Sequence, residues 1–136
     1  MKPAFYRTLL CVLLVLSMSG VIWMVLHYFF PASTEFGTAP NPAEPLWIRI
    51  HGIVAVATVF LLGGVATSHV VAGWNRAHNQ PSGLVLAGLC IALILSGYAL
   101  YYITVDAARS VVAIAHQVAG IAGIGAALIH WTRIRR

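Results

Sequence analysis

Long apolar segments alternate with short polar stretches along this chain of 136 residues. Four apolar segments reach about 20 residues, the length that a helix needs to cross the hydrocarbon core of a bilayer. They comprise residues 8–30, 46–73, 82–103 and 110–131. Because the links are short, successive helices are expected to run antiparallel. The pattern predicts an all-α, integral membrane four-helix bundle with an up-down-up-down course, as a single transmembrane domain over residues 1–136.

A weak internal repeat relates the first and third segments. The first contains LSMSGVIWMVLHYFF and the third contains LILSGYALYYI. Each places a Ser-Gly pair, Ser19-Gly20 or Ser96-Gly97, before a group of aromatic residues. The chain is therefore expected to consist of two similar helical hairpins, an arrangement known in membrane proteins. Shared membrane composition is the alternative explanation of the repeat.

The composition supports a membrane location. Hydrophobic residues make up 60% of the chain and charged residues 8%, whereas about a quarter of a soluble domain is charged. Lysine and arginine collect in the N-terminus, the second loop and the C-terminus, which predicts that both termini face the cytoplasm of a bacterial inner membrane. This placement explains the net charge of +5 by membrane topology and does not favour nucleic-acid binding.

Four of the six histidines lie at the ends of two apolar segments. His51 and His69 belong to the second segment, and His116 and His130 belong to the fourth. The 18-residue step in the second segment is about five helical turns, and the 14-residue step in the fourth is about 3.9 turns, so each pair shares a helix face. Because both segments run from outside to inside, we expect His51 to pair with His116 near the outer face. His69 would pair with His130 near the inner face.

Two facing imidazoles favour a b-type haem over a zinc ion. Imidazole binds zinc, copper and iron, but zinc usually takes at least three protein ligands. A porphyrin supplies four of the iron ligands, so two histidines suffice. Small residues on the fourth segment would admit a flat macrocycle, although the approach of another helix explains them equally well; they are Ala119, Gly120, Gly123, Ala126 and Ala127.

Arginines near the segment ends are candidates to bind haem propionates, since a guanidinium group matches a carboxylate in geometry. Arg49 and Arg109 lie near the outer histidines, and Arg76 and Arg133 lie near the inner ones. An ordinary interfacial role is the alternative for each arginine and for any single histidine. Two pairs of histidines are expected at matching depths in the membrane and on matching helix faces, and this agreement favours a role as metal ligands.

The last segment carries a family resemblance. HQVAGIAGIGAALIHW, with thirteen residues between its histidines, resembles the four-helix membrane cytochrome b subunits of formate dehydrogenases and nickel–iron hydrogenases. It looks still closer to small stand-alone four-helix relatives, and SGYALYY resembles their third-helix signature. The resemblance implies two b haems that carry electrons across the membrane, with His116 and His130 as ligands to different haems and His51 as the outer partner.

This sequence departs from the dehydrogenase subunits at the inner haem. Their first helix supplies an inner ligand, but the first segment here has no histidine near its inner end, so His69 would have to serve. His27 lies near the outer end of that segment; it could replace an outer ligand or contact a quinone, and an interfacial role is favoured. His78 is expected to be a solvated loop residue.

The leading hypothesis is a dihaem b-type cytochrome that carries electrons between a quinone pool and a redox partner. Such a chain is an electron-transfer protein or a subunit of a quinone-linked oxidoreductase, with lipid, quinone or quinol, and a redox protein as partners. Assembly into an oligomer is left open. The alternatives are a haem-free membrane module, either an assembly subunit or a transporter of ions or protons, and a cytochrome with a single haem.

Overall fold

Four long helices account for most of the computed structural model, which describes residues 3–72 and 80–134. Helix α1 spans Pro3–Phe29, α2 spans Glu44–Val65, α3 spans Gln80–Tyr102 and α4 spans Asp106–Ile134. All four are long and apolar enough to cross a membrane. The predicted all-α membrane bundle is therefore confirmed in its class and in its number of spanning helices.

The helices begin several residues before the apolar segments that predicted them. Helix α2 starts at Glu44 and α4 at Asp106, whereas the apolar segments start at residues 46 and 110. Proline is favoured in the first turn, as at Pro45 of α2, because its missing N–H has no helical partner there. An acidic side chain such as Glu44 or Asp106 interacts well with the helix N-terminus, so these residues extend both helices beyond their apolar runs.

The link between α1 and α2 contains a small β-hairpin that the apolar pattern did not predict. Strand β1 (Ala32–Thr34) pairs antiparallel with strand β2 (Gly37–Ala39). Gly37 adopts a φ of 112°, a left-handed conformation that glycine tolerates because it has no Cβ. The Thr34 hydroxyl donates to the Gly37 carbonyl at 2.7 Å and closes the turn.

Polar side chains hold the two ends of this link together. The Asn41 side-chain amide donates to the Phe30 carbonyl at 2.7 Å, and its oxygen accepts from the Ala43 N–H at 2.9 Å. The buried Glu44 carboxylate accepts from the Asn41 N–H at 2.9 Å and lies 3.0 Å from Nδ1 of His27. The end of α1 is thereby fixed to the start of α2.

Contacts divide the chain into two compact units, Met1–Ser68 and His69–Arg136. In the first unit α1 packs along α2, and in the second unit α3 packs along α4. Each unit is therefore built on one helical hairpin, as the repeat of the Ser-Gly pairs predicted.

Most apolar side chains on the four helices point outward. Leu9 is the buried apolar side chain among the described residues, while Ile53 is 72% exposed and Phe60 80% exposed. Lipid tails are as apolar as these side chains, so such a surface is stable in a bilayer. The exposed apolar surface supports direct contact with lipid, as expected of a multi-pass membrane protein.

Removal of the Glu44 carboxylate tests how the first hairpin is closed. Glu44→Ala is expected to lower the free energy of unfolding by about 1–2 kcal/mol, because a buried acceptor for the Asn41 N–H and for His27 is lost. Denaturant titration of the full chain in detergent micelles measures the change. Glu35→Ala, at the exposed tip of the β-hairpin, is the control and should stay within about 0.5 kcal/mol of wild type. Equal losses in both variants would contradict this role of Glu44.

Candidate functional site

His51, in the second turn of α2, contacts the middle of α1. Its Nδ1 lies 3.2 Å from the Ser19 hydroxyl and 3.1 Å from the Leu16 carbonyl oxygen. Ser19 is only 1% exposed. The ring also lies against Gly20, where an added Cβ would be 3.0 Å from Cε1 of the imidazole. The Ser-Gly pair therefore provides one hydrogen-bonding atom and the space that the ring fills.

His116 of α4 has the same surroundings in the second unit. Its Nδ1 lies 2.8 Å from the Ser96 hydroxyl of α3. A Cβ added to Gly97 would be 3.2 Å from Cε1 of the ring. The two Ser-Gly pairs that the sequence singled out as a repeat are thus the two places where a neighbouring helix receives a histidine.

A third contact of this kind lies near the other end of the second hairpin. Nδ1 of His130 is 2.9 Å from the Ser82 hydroxyl, and a Cβ on Gly83 would be 3.6 Å from Cε1 of the ring. The Ser82-Gly83 pair was not among the residues predicted from the sequence. The spacing contains the signal, because the interval from Ser82 to Ser96 equals the interval from His116 to His130.

The first unit has an apolar contact at the corresponding position. Phe5 precedes Ser19 by the same interval at which Ser82 precedes Ser96. Its ring packs against Gly64 of α2, where an added Cβ would be 3.0 Å from Cζ. The two hairpins therefore share a register but differ in chemistry at this end.

His69 and His130 lie close together in the second unit, with ring centroids 6.2 Å apart and ring planes at 88°. These residues form the predicted inner pair. Their role as metal ligands stays a prediction, as does the pairing of His51 with His116.

A π-helix at Ala66–Val70 places His69. Its wider turn weakens the regular hydrogen-bond ladder, and the Ser68 hydroxyl donates to the Gly64 carbonyl at 2.6 Å. The step from His51 to His69 therefore cannot be read with α-helical turns alone. Short π-helical insertions often occur at functional sites.

The small residues of α4 pack at least partly against another helix. Added Cβ atoms at Gly120 and Gly123 would lie 3.9 Å and 3.6 Å from the Leu93 side chain of α3. These two glycines therefore allow close packing within the hairpin. Of the two explanations of the small residues, the contacts of this pair favour helix packing.

Three of the four candidate propionate ligands belong to the described residues and lie near helix ends. Arg49, Arg109 and Arg133 are exposed; Arg49 lies shortly before His51 in the chain and Arg133 shortly after His130. Arg76 and His78 lie outside the described residues. The binding of propionates by any of these arginines stays a prediction.

His27 contacts groups at the end of its own hairpin. Its ring stacks on Trp23 with centroids 4.8 Å apart and faces the Glu44 carboxylate. An open pocket of about 210 Å³ adjoins it, lined by His27, Pro31, Thr38, Ala39, Pro40 and Glu44. These contacts give His27 a structural role in closing the hairpin, while contact with a quinone stays a prediction.

Among residues 3–72 and 80–134, no group of three or more histidine, cysteine, aspartate or glutamate side chains is placed to hold a metal ion. Comparison with known protein families, with curated proteins and with solved structures finds no match for the chain. The resemblance to membrane cytochrome b subunits therefore stays a prediction from the sequence.

Two glycines of α3 provide a test of the histidine contact. Gly97→Ala is expected to destabilise the chain by about 1 kcal/mol or more, because the new methyl group meets the His116 ring. In Gly88→Ala the added Cβ meets nothing within 4 Å, so the substitution should raise stability by about 0.5–1 kcal/mol. Unfolding in detergent micelles measures both variants. The same change in both would show that His116 does not pack against Gly97.

Proposed function

We propose that this chain is a b-type membrane cytochrome that carries electrons between a quinone pool and a redox partner. One observation carries the proposal. Three histidines inside membrane-spanning helices, His51, His116 and His130, each contact a serine hydroxyl on the neighbouring helix of the same hairpin. Histidines that ligate a metal are typically oriented in this way, by a hydrogen bond to the second ring nitrogen.

The available side chains fit the ligand requirement of haem iron. Porphyrin provides four nitrogens, so the protein supplies only the axial ligands. His69 and His130 would hold the inner haem. Their ring centroids are 6.2 Å apart within the second unit, so the two side chains are close enough to act as a pair.

When bound, haem supplies a one-electron redox centre whose potential depends on its axial ligands, its burial and nearby hydrogen bonds. His51, His116, His130 and His69 are the proposed axial ligands. Arg49, Arg109, Arg133 and Arg76 are the proposed partners of the propionates. The apolar surface of the helices keeps water from the ligand rings and holds the chain in lipid.

The proposal includes a bacterial inner membrane location with both termini in the cytoplasm. The excess of lysine and arginine in the termini and the second loop supports this orientation. The chain would act as an electron-transfer protein or as the membrane subunit of a quinone-linked oxidoreductase.

An optical spectrum of the purified chain tests the proposal. After expression with adequate haem, the reduced protein is expected to show a b-type α-band, and His116→Ala should remove the absorbance of the haem that it ligates. His27→Gln is the control, since His27 contacts Glu44 and Trp23, and it should retain full haem content. A folded wild-type chain without a reducible b-type spectrum would contradict the proposal and favour a haem-free module.

The ratio of haem to protein tests the number of sites. Two haems per chain are expected for wild type, and His130→Ala should lower the ratio to about one if this histidine ligates one haem only. Pyridine haemochrome assay with quantitative amino-acid analysis gives the ratio. If the wild-type chain binds one haem and His130→Ala also binds one, the chain has a single haem site and His130 is not one of its ligands.

A further inference from the structure

Two of the serine–histidine contacts determine which ring nitrogen carries the proton. The Ser96 hydroxyl donates to the Ala92 carbonyl at 2.6 Å, and the Ser19 hydroxyl donates to the Leu16 carbonyl at 2.9 Å. A serine has a single hydroxyl hydrogen. A carbonyl oxygen can only accept, so a serine–carbonyl contact of 2.6–2.9 Å assigns the hydroxyl hydrogen to the carbonyl. With that assignment, the serine oxygen accepts a hydrogen bond from the histidine.

The acceptor role of the serine oxygen places a proton on Nδ1 of both rings. The assignment that gives every one of these contacts a hydrogen has Nδ1 of His116 donating to Ser96 and Nδ1 of His51 donating to Ser19. His51 provides a second argument, because its Nδ1 also lies 3.1 Å from the Leu16 carbonyl oxygen, which only accepts. In a neutral imidazole the other nitrogen, Nε2, then carries the lone pair.

We propose that Ser96 is a positioning residue that holds His116 in the Nδ1–H tautomer and so makes Nε2 the ligand atom. For His51, the Leu16 carbonyl and Ser19 share this role, and the carbonyl alone is sufficient. Gly20 and Gly97 complete the arrangement by leaving room for the rings. That the ligand atom serves haem iron rests on the proposed function. The tautomer itself does not, since it follows from hydrogen bonds within each hairpin.

The same Ser-Gly pair faces a histidine in both hairpins, which argues against a chance polar contact. Each serine hydroxyl already donates to a carbonyl of its own helix, so the serine does not need the histidine as an acceptor. The same dipeptide nevertheless faces a histidine in both hairpins, with the serine at Nδ1 and the glycine at Cε1. A contact that only held two helices together would not require this orientation of the ring twice.

Nitrogen-15 spectra of histidine-labelled full-length protein in micelles test the tautomer, with the His116 signals assigned from His116→Gln. In the haem-free chain, Nδ1 of His116 is expected to be protonated and Nε2 unprotonated. Ser96→Ala should shift His116 toward a mixture of tautomers, whereas Ser96→Thr, which keeps a hydroxyl, should restore the wild-type signals. Ser110→Ala, at an exposed serine of α4, is the matched control and should change nothing.

Haem binding gives a second readout on the same variants. Ser96→Ala is expected to weaken haem affinity about tenfold or more, as removal of a hydrogen-bond partner of a ligating histidine typically does. The reduction potential should rise, because the imidazole becomes a weaker base without its acceptor. Ser19→Ala should leave the His51 tautomer in place, since the Leu16 carbonyl still accepts from Nδ1.

The outcomes distinguish this proposal from the proposed function. An Nε2–H tautomer of His116 in the wild-type chain would overturn it without any variant. So would a Ser96→Ala protein that keeps both the wild-type tautomer and the wild-type haem affinity. A further outcome is a wild-type chain that binds no haem and still shows the Nδ1–H tautomer in a Ser96-dependent way. That result would contradict the proposed cytochrome function and support the positioning role of Ser96.

Discussion

A hydrogen bond between an imidazole and a serine, formed among apolar side chains, organises each of the two hairpins. A polar group inside a bilayer finds no water, and leaving it unpaired costs several kcal/mol. Ser19 and His51, or Ser96 and His116, can meet only at one register of their two helices. A shift by one helical turn would separate them by about 5 Å, so these contacts select the register that apolar packing alone would leave poorly defined.

The glycine next to each serine provides the space that the histidine ring needs to form this hydrogen bond. At Gly20 and Gly97 an added Cβ would lie 3.0–3.2 Å from the ring carbon Cε1. The ring therefore occupies the volume that any other side chain would take. Ser19 is accordingly the most fully buried side chain among the described residues, while most apolar side chains of the helices are exposed.

The sequence predicted the four helices because the length of an apolar run is a sufficient signal for a membrane span. It did not predict their starting residues, since Glu44 and Asp106 begin helices without being apolar. It also did not predict the partners of the histidines. Those partners depend on the rotation and register of two helices relative to each other, and the sequence of a single helix contains neither. The repeated Ser-Gly pairs nevertheless marked two of the three serine–histidine contacts. His69 was the hardest to place, because the π-helix that carries it has a different number of residues per turn.

The Phe5–Gly64 contact makes the two hairpins distinguishable from within the chain. If the two hairpins were identical, a substitution in one would have the same effect as the corresponding substitution in the other. The two hairpins would then have the same chemical function. Here the aromatic ring fills the position at which the second hairpin has Ser82 facing His130. The residue that corresponds to His130 in the first hairpin is Val65, since it follows His51 by the interval that separates His116 from His130. The residue that corresponds to Gly83 is Tyr6, so the first hairpin lacks all three residues of this contact. The chain thus contains two hairpins of similar register in which three of four corresponding positions carry a serine–histidine contact and the fourth carries an apolar one.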